Sequence, residues 1–281
     1  MYEIYRNSYL NLAAVASTNA TGGLVHSSSL LSRIPWSVIV GRGKFQERAL
    51  TSYVSGTKCS EEDLPLLGRA YVFQEILLPR RVLLFTRDEV CWECNEIGRT
   101  ETYPEGEPTH QEGEVKEVVD RVIPFRKGWR EVSEGSSSSQ FDLWNEVIAQ
   151  YSGKRMSNSA DKLVAVSGLA QDLGQIWPEA DYLAGLWFFD LVHGLLWNCF
   201  SCTRPRFYNA PSWSWASVDG KVKLHSCDGL GFCDTTVEVV EACTFHSSPT
   251  IAYGAINDGY VRMKGPLFQA QIIGGGGGGG R

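Results

Sequence analysis

Residues 69–94 read RAYVFQEILLPRRVLLFTRDEVCWEC, and this stretch decides the fold of the first part of the chain. A short helix is predicted from Tyr71 to Leu78, because Pro79 cannot continue a helix. The run from Val82 to Phe85 is apolar on both faces, which is typical of a central strand between two layers. Val90 to Cys94 alternates in polarity, so Val90, Trp92 and Cys94 share one face. The stretch therefore predicts a helix followed by a β-hairpin.

The residues before this stretch predict the last turn of a helix that runs into a short strand. Met1, Ile4 and Tyr5 share one helical face, and an apolar run from Leu10 to Ala16 follows them. We therefore expect residues 1–97 to form an α/β unit. An opening on the end of a helix also predicts a further part upstream.

The rest of the chain divides by composition. Residues 98–140 are acidic and contain proline, glycine and a serine run, which predicts a linker. Residues 141–273 predict an α+β region, with helices first and antiparallel β-hairpins after them. Residues 274–281 are seven glycines and an arginine, which cannot order themselves and predict a disordered tail. A separate strand is predicted at Trp36 to Val40.

Three helices and several strands are predicted in the C-terminal region. Tyr182 to Trp197 is nearly all apolar and predicts a buried helix. Trp213 and Trp215 alternate along a predicted strand, which Asp219-Gly220 would turn into a hairpin. Two amphipathic helices are predicted before these elements, the second capped by Ser159. The apolar stripe of the first helix is Phe141, Trp144, Val147, Ile148 and Tyr151, and that of the second is Leu163, Val166, Leu169, Ala170 and Leu173. Further strands are predicted at 237–242 and 259–264.

Composition limits the classes of partner and compartment. The chain is 43% hydrophobic and 21% charged, which is typical of a globular protein with a core. Its formal net charge is −6 and it has no basic run, which argues against nucleic acid and anionic membrane as partners. Eight cysteines without a clear export signal favour reduced thiols in the cytoplasm. The most apolar segment, Tyr182 to Phe200, contains Asp190 and His193, which favours a buried helix over a membrane span.

Three segments, in order along the chain, carry a resemblance to a known family. The first is Tyr2 to Leu24, which ends on a Gly-Leu step at Gly23. The second is the stretch 69–94, where the matched positions are Arg69, Gln74, Glu75, Arg81, Phe85, Trp92 and Cys94. The third includes Asp161-Lys162-Leu163, Ser167-Gly168-Leu169-Ala170, Tyr182-Leu183-Ala184-Gly185-Leu186-Trp187 and the run from Ala210 to Gly220, which contains Trp213 and Trp215. Together they resemble the second half of the fungal heterokaryon-incompatibility (HET) domain and the tail that often follows it.

The resemblance carries expectations about fold and function. It implies an α/β architecture similar to the TIR and flavodoxin-like folds, and a role in allorecognition and programmed cell death in filamentous fungi. The chain departs from the family pattern at Tyr71, where tryptophan is usual, and at Arg80, where proline is common. The opening strands of the family have no counterpart here, so the chain is expected to be truncated.

One polar group is a candidate for chemistry. Glu75, with Arg69 and Gln74, could orient a ribose or stabilise a developing cation, as cleavage of NAD requires. The alternative is that Arg69 and Glu75 form an ion pair that fixes the helix against the following strand, and we favour this structural interpretation. No phosphate-binding glycine loop and no nucleophile elbow are present.

Two Cys-x-x-Cys pairs and four tryptophans have both functional and structural interpretations. Cys91 and Cys94 would point to opposite faces of a strand, and they are far in sequence from Cys199 and Cys202. We therefore prefer buried apolar thiols to a zinc site or a redox pair, and predict no metal. The tryptophans could offer a stacking surface but are expected to be core; they are Trp187, Trp197, Trp213 and Trp215.

The leading functional hypothesis is a HET-family module that acts through protein partners, self-association among them, without a cofactor. Two alternatives stay open. One is a TIR-like enzyme that cleaves NAD, and the other is a truncated gene product without function. An enzyme is the less favoured class, since much of its pocket would lie in the missing half.

Overall fold

The computed structural model describes residues 1–25, 36–40, 48–52, 64–94, 97–101, 104–105, 137–224, 236–248 and 252–267; within 36–40, 48–52 and 137–141 only the backbone is described. The fold is mixed α and β, as predicted, with five α-helices and several small sheets among these residues. The predicted tail and most of the predicted linker lie outside them.

A four-stranded sheet organises the first part of the chain. Its strands are β1 (Asn11–Ala13), β4 (Arg81–Phe85), β5 (Val90–Cys94) and β6 (Gly98–Thr100), in that spatial order. β1 runs parallel to β4, and the other neighbours are antiparallel. The predicted central strand and its return hairpin are therefore confirmed. β6 begins where the linker was predicted to begin.

Helix α2 (Ala70–Leu77) lies between β1 and β4 in sequence and covers one face of this sheet. Its Val72 and Ile76 pack with Val82 and Leu84 of β4 in one buried cluster. The helix begins after Arg69, which has extended backbone angles, and it ends before Pro79, whose ring is incompatible with a further turn. β1, α2 and β4 thus form a β-α-β unit with parallel strands.

Two other short elements complete the first part. Helix α1 (Tyr2–Arg6) confirms the predicted helical start. β2 (Trp36–Val40) was predicted and pairs antiparallel with β3 (Arg48–Ser52), which the sequence pattern did not indicate.

The main core is built on α3 (Ser137–Tyr151) and α4 (Lys162–Ile176). The apolar stripes predicted for both helices are buried wherever side chains are described, which confirms their amphipathic pattern. Tyr2, Ala70 and Leu78 from the first part belong to the same buried cluster as Leu163, Val166, Leu169 and Leu173 of α4. One continuous core therefore holds α1 and α2 against α4. The predicted cap at Ser159 is wrong, because Asn158 caps the 3-10 turn Ser159–Asp161 that precedes α4.

The helix predicted over Tyr182 to Trp197 is wrong. The segment forms a tight hairpin of β7 (Tyr182–Leu183) and β8 (Leu186–Trp187), then a 3-10 turn at Phe188–Asp190 and the single-turn helix α5 (Leu191–Gly194). Ala184 and Gly185 both have positive φ, at 50° and 95°, which no helix permits. Hydrogen bonds from distant tryptophans to Gly185 hold this turn and override the apolar pattern.

The strand and hairpin predicted around Trp213 and Asp219-Gly220 are also wrong. Residues Trp215–Ser217 form a 3-10 turn, in which the side chain of Ser214 accepts a hydrogen bond from the backbone N–H of Ala216. β10 (Val222–Lys223) pairs instead with β9 (Asn198–Cys199). A local serine cap thus prevents the extended backbone that the alternating tryptophans suggested.

The described chain ends in a long antiparallel hairpin. β11 (Glu238–His246) pairs with β12 (Ile256–Lys264) over nine residues each, which confirms the two strands predicted there and extends both. Trp213 donates its indole N–H to the carbonyl of Gly259 over 3.2 Å, so the hairpin is tied to the segment before the 3-10 turn.

Candidate functional site

Helix α2 carries the three residues predicted as candidates for chemistry, and it separates them. Arg69 is the exposed residue before the helix, Gln74 is buried within it and Glu75 is half-buried near its end. No ion pair joins the described side chains of Arg69 and Glu75. The predicted ion pair is therefore wrong, because Arg69 precedes the helix with an exposed side chain and Glu75 lies near the end of the helix, six positions away.

Arg69 contributes through its backbone. It forms an isolated parallel bridge with Arg155, in which the N–H of Ala70 donates to the Arg155 carbonyl over 3.0 Å and the N–H of Arg155 donates to Gly68 over 2.7 Å. The Arg155 side chain also donates to the Pro65 carbonyl at 3.0 Å. The start of α2 is thus attached to the segment that follows α3.

Glu75 is bound to α1 and β1. Its carboxylate lies beside the Tyr5 hydroxyl, and its backbone carbonyl accepts a hydrogen bond from the Asn11 side chain at 2.8 Å. Burial, followed by the charge and hydrogen bond of Glu75, raises the pKa of Tyr5 to about 12. The carboxylate therefore stabilises the protonated phenol, in a contact between the first and second segments of the resemblance.

Gln74 lies at the closest approach of α2 to α4. Its side chain is 2% exposed, and its Oε1 accepts no hydrogen bond from the described residues. A Cβ atom on Gly168 would lie 2.6 Å from this oxygen and 3.1 Å from Leu78 Cδ1. Glycine at position 168 is therefore what lets the two helices approach at this point.

The other matched residues of this stretch have structural neighbours. The guanidinium of Arg81 lies 4.9 Å from the centre of the Tyr9 ring. Phe85, Trp92 and Cys94 are half-buried, while Cys91 is buried on the opposite face of β5, as the alternation predicted. Their positions on different faces and strands bring none of them to Glu75.

Two polar contacts connect the ends of α4 to distant segments. At its start, the Asp161 carboxylate lies against Tyr71; burial, then the charge and hydrogen bond of Asp161, raise the pKa of Tyr71. At its other end, Asp172 is 2.7 Å from Arg6 and accepts a hydrogen bond from Tyr2 at 3.1 Å. Asp172 is a residue that sequence reasoning missed, because its partners are far away in the chain.

A buried lysine joins α4 to the C-terminal segment. The ammonium of Lys162, whose side chain is 7% exposed, is 2.7 Å from the Asp219 carboxylate and also donates to the Val218 carbonyl. The hydroxyl of Ser159 donates to the same carboxylate at 3.0 Å. Lys162 and Asp219 both lie in the third segment of the resemblance.

The turn at Ala184-Gly185 accepts three side-chain hydrogen bonds within the core. The Gly185 carbonyl accepts the indole N–H of Trp144 at 2.9 Å and that of Trp215 at 3.0 Å. The Ala184 carbonyl accepts the Ser214 hydroxyl at 2.5 Å. Trp215 is fully buried, Trp187 is buried, and Trp197 and Trp213 pack partly buried against the same core, so the structural interpretation of the tryptophans is confirmed.

A small aromatic cavity beside this turn was not predicted. It is lined mainly by Trp144, Trp187, Phe189 and Asp190 and has a volume of about 10 Å³, which is room for no more than about one water molecule. The Asp190 carboxylate lies 2.6 Å from Nδ1 of His193. Burial raises the pKa of Asp190, and the hydrogen bond and charge of His193 oppose that shift. The space beside this pair is too small for a nucleotide.

One of the two Cys-x-x-Cys pairs differs from the prediction of buried thiols. Cys199 and Cys202 are disulfide-bonded, with Cα atoms 5.9 Å apart, and both are half-exposed. The Cys-x-x-Cys spacing is compatible with such a bond, but the absence of a clear export signal favoured reduced thiols. Among the described residues, no three histidine, cysteine or acidic side chains are grouped as metal ligands would be.

Comparisons with known proteins add no assignment. The chain matches no protein-family model, no curated protein and no solved structure. Within the described parts of the chain, no helix is long and apolar enough to cross a bilayer.

Proposed function

We propose that this protein is a module of the heterokaryon-incompatibility type, which takes part in fungal allorecognition and the associated cell death through contacts with other proteins. The fold we propose for residues 1–97 is the second half of a TIR or flavodoxin-like domain. The parallel β-α-β unit of β1, α2 and β4 is in keeping with that architecture.

The observation that carries the proposal is a loop with exposed aromatic side chains between β9 and β10. Phe200 is 81% exposed and Phe207 is 73% exposed, and Leu196 and Tyr208 are exposed beside them in sequence. The loop is held at its base by the pairing of β9 with β10. Large apolar side chains that are kept in water on an ordered base are typical of surfaces that bind another protein.

The interactions of Glu75 also favour contact over catalysis. Its carboxylate is engaged with Tyr5, and neighbouring Gln74 is buried against Gly168. A residue that attacks or orients a nucleotide needs open space within hydrogen-bond reach of the substrate. The contacts of Glu75 support a structural role in which it joins α1 to α2.

The test is inducible expression of the full chain in filamentous fungal cells, with viability and total NAD measured together. The variants are Phe200→Ser with Phe207→Ser, and Glu75→Gln. The matched control is Tyr9→Ser, which removes an exposed aromatic side chain from the first part of the chain. We expect cell death at constant NAD, loss of death in the double variant, and death unchanged in the other two.

Two results would contradict the proposal in different ways. Loss of NAD that disappears in Glu75→Gln would favour the alternative of an NAD-cleaving enzyme. Normal growth in every arm, with the protein present at equal levels, would favour the alternative of a product without function.

A further inference from the structure

The disulfide between Cys199 and Cys202 closes a four-residue turn at the protein surface. The two Cα atoms are 5.9 Å apart, within the range that a disulfide spans. Between them, Phe200 is exposed and Ser201 has φ 61°, a left-handed conformation that residues with a side chain rarely adopt. The turn is therefore both accessible to a small reagent and held in an unfavourable backbone conformation.

The second cysteine contacts the neighbouring segment. A Cβ atom on Gly220 would lie 2.6 Å from Sγ of Cys202, and that sulfur is 4.0 Å from the Lys221 carbonyl oxygen. Thr203, which follows Cys202, and Asp219, which precedes Gly220, form two backbone hydrogen bonds with each other, of 2.9 Å and 2.7 Å. The disulfide thus lies next to the backbone pair that positions the Asp219 carboxylate.

Asp219 connects this surface turn to the core. Its carboxylate binds the buried ammonium of Lys162 and the hydroxyl of Ser159 at the start of α4. A change in the Cys199–Cys202 turn therefore has a continuous path, through Thr203 and Asp219, to a buried charge.

We propose that Cys199 and Cys202 form a reversible thiol–disulfide exchange site, which reacts with small thiols such as glutathione or with the dithiol of a partner protein. In the oxidised state the bond holds Ser201 in its left-handed conformation and keeps Thr203 paired with Asp219. In the reduced state the turn relaxes and that pairing weakens. The proposal rests on the cysteines and their neighbours, and it does not depend on the proposed function.

The exchange proceeds in two steps that balance. An external thiolate attacks one sulfur of the disulfide, a mixed disulfide forms, and the other cysteine leaves as a thiolate that takes up a proton. A second external thiolate then attacks the external sulfur of the mixed disulfide, so that the remaining cysteine is released as a thiolate. In total, one protein disulfide and two thiols give one protein dithiol and one external disulfide, and two electrons enter the protein.

Three features favour a reversible bond over a permanent structural one. The bond closes a very short loop, which constrains the unfolded chain less than a bond across a long loop would. Both cysteines are half-exposed, so that a thiolate can approach. Reduction would also free Ser201 from its left-handed conformation, which favours the reduced state.

The first experiment uses the purified full chain in buffers with a graded ratio of reduced to oxidised glutathione. After equilibration in each direction, thiols are alkylated and the Cys199–Cys202 peptide is quantified by mass spectrometry. We expect the oxidised fraction at each glutathione ratio to be the same whether the protein starts oxidised or reduced. This fraction should change from mostly oxidised to mostly reduced within the accessible range of ratios. A bond that survives excess glutathione in the native protein would overturn the proposal, and so would a dithiol that excess oxidised glutathione does not close.

The second measurement is amide hydrogen exchange of the oxidised and reduced protein. The N–H groups of Thr203 and Asp219 should exchange at least tenfold faster after reduction, while those in the middle of α4 should not change. Cys202→Ser should show the fast exchange under oxidising conditions, and the matched variant Cys243→Ser, on β11, should behave as wild type. Equal exchange at Thr203 and Asp219 in the two states of the wild-type protein would refute the coupling, whether or not the variants fold.

Discussion

Replacement of Gly185 by alanine tests the packing of the turn that joins β7 and β8. Gly185 has φ 95°, and a Cβ atom there would lie 2.5 Å from Nε1 and 2.8 Å from Cε2 of Trp215. Trp215 is fully buried, so its ring cannot move into solvent. The same ring donates to the Gly185 carbonyl, so any shift of the ring also lengthens that hydrogen bond.

The expected loss of stability is a sum of three effects. A left-handed backbone with a side chain costs roughly 1 kcal/mol. Crowding of a rigid buried ring costs about 1–3 kcal/mol. A buried indole N–H that loses its acceptor costs about 1–3 kcal/mol. We therefore expect Gly185→Ala to lower the free energy of unfolding by about 5 kcal/mol, which corresponds to a fall of about 10 °C in Tm.

Gly23→Ala is the matched control. Gly23 has a similar φ of 75°, but a Cβ atom there meets nothing within 4 Å. Only the backbone effect applies, so we expect a loss of about 1 kcal/mol. Urea unfolding of both variants, followed by tryptophan fluorescence, measures the difference between them.

A second comparison separates crowding from other causes. Trp215→Phe removes the crowded Nε1 atom, so its loss of stability and that of Gly185→Ala should overlap in the double variant by at least about 1 kcal/mol. If Gly185→Ala were within 1 kcal/mol of Gly23→Ala, the proposed contact with Trp215 would be refuted. Fully additive losses in the double variant would refute it as well.

Three further predictions concern charged and titrating groups. Asp219→Ala should lower the free energy of unfolding in urea by roughly 3 kcal/mol, because it leaves the buried ammonium of Lys162 without its carboxylate. Adding Lys162→Met to this variant should recover part of that loss. Glu75→Gln should lower the pKa of Tyr5 from about 12 but keep it above 10, because burial is the larger cause of the shift. A difference titration against Tyr5→Phe measures the pKa of Tyr5, and an unchanged value would contradict the contact with Glu75. Burial raises the native pKa of Asp190 above 3.8, so the stability it contributes is present below pH 3.8 and is lost as the pH rises through the native pKa. Asp190→Asn should therefore lose less stability than wild type as the pH rises from 3.8, and parallel pH profiles of the two proteins would oppose this account.

The amphipathic helices and the central hairpin could be predicted from sequence because their signals are local. In α3 and α4 the apolar residues recur with helical period, and burial of one stripe is enough to place both helices. In β4 and β5 a proline, an apolar run and an alternating run occur in succession, which specifies helix end, strand and return strand. No distant residue has to be known for these assignments.

The segment Tyr182 to Trp197 could not be predicted in the same way, because its conformation is decided by residues far away. Gly185 accepts hydrogen bonds from Trp144 and Trp215, which lie before and after it in the chain. A uniformly apolar run contains no information about these donors, so it is indistinguishable from a buried helix. Long-range hydrogen bonds thus overrode an intrinsic preference that was compatible with helix.

Only part of the candidate site was predicted, because its contacts also join residues that are distant in the chain. Glu75 was identified as a carboxylate with partners, but the partner proposed for it was Arg69, which immediately precedes the same helix. The structure pairs it instead with Tyr5, a residue of α1. Proximity in sequence suggested the nearer cation, whereas the packing of α1 beside α2 brings a phenol to the carboxylate.

The segments that carry the family resemblance are joined to one another in this structure. Glu75 lies beside Tyr5, and Gln74 packs against Gly168. Lys162 forms an ion pair with Asp219, and the Gly185 carbonyl accepts a hydrogen bond from Trp215. Each contact joins residues that are distant in the chain, so none of the matched positions can be exchanged without a change in its partner. A motif of this kind constrains the fold and leaves the chemistry open. The side chains of Phe200 and Phe207 are largely exposed and take no part in these contacts, so under the proposed function the partner surface is to be sought there.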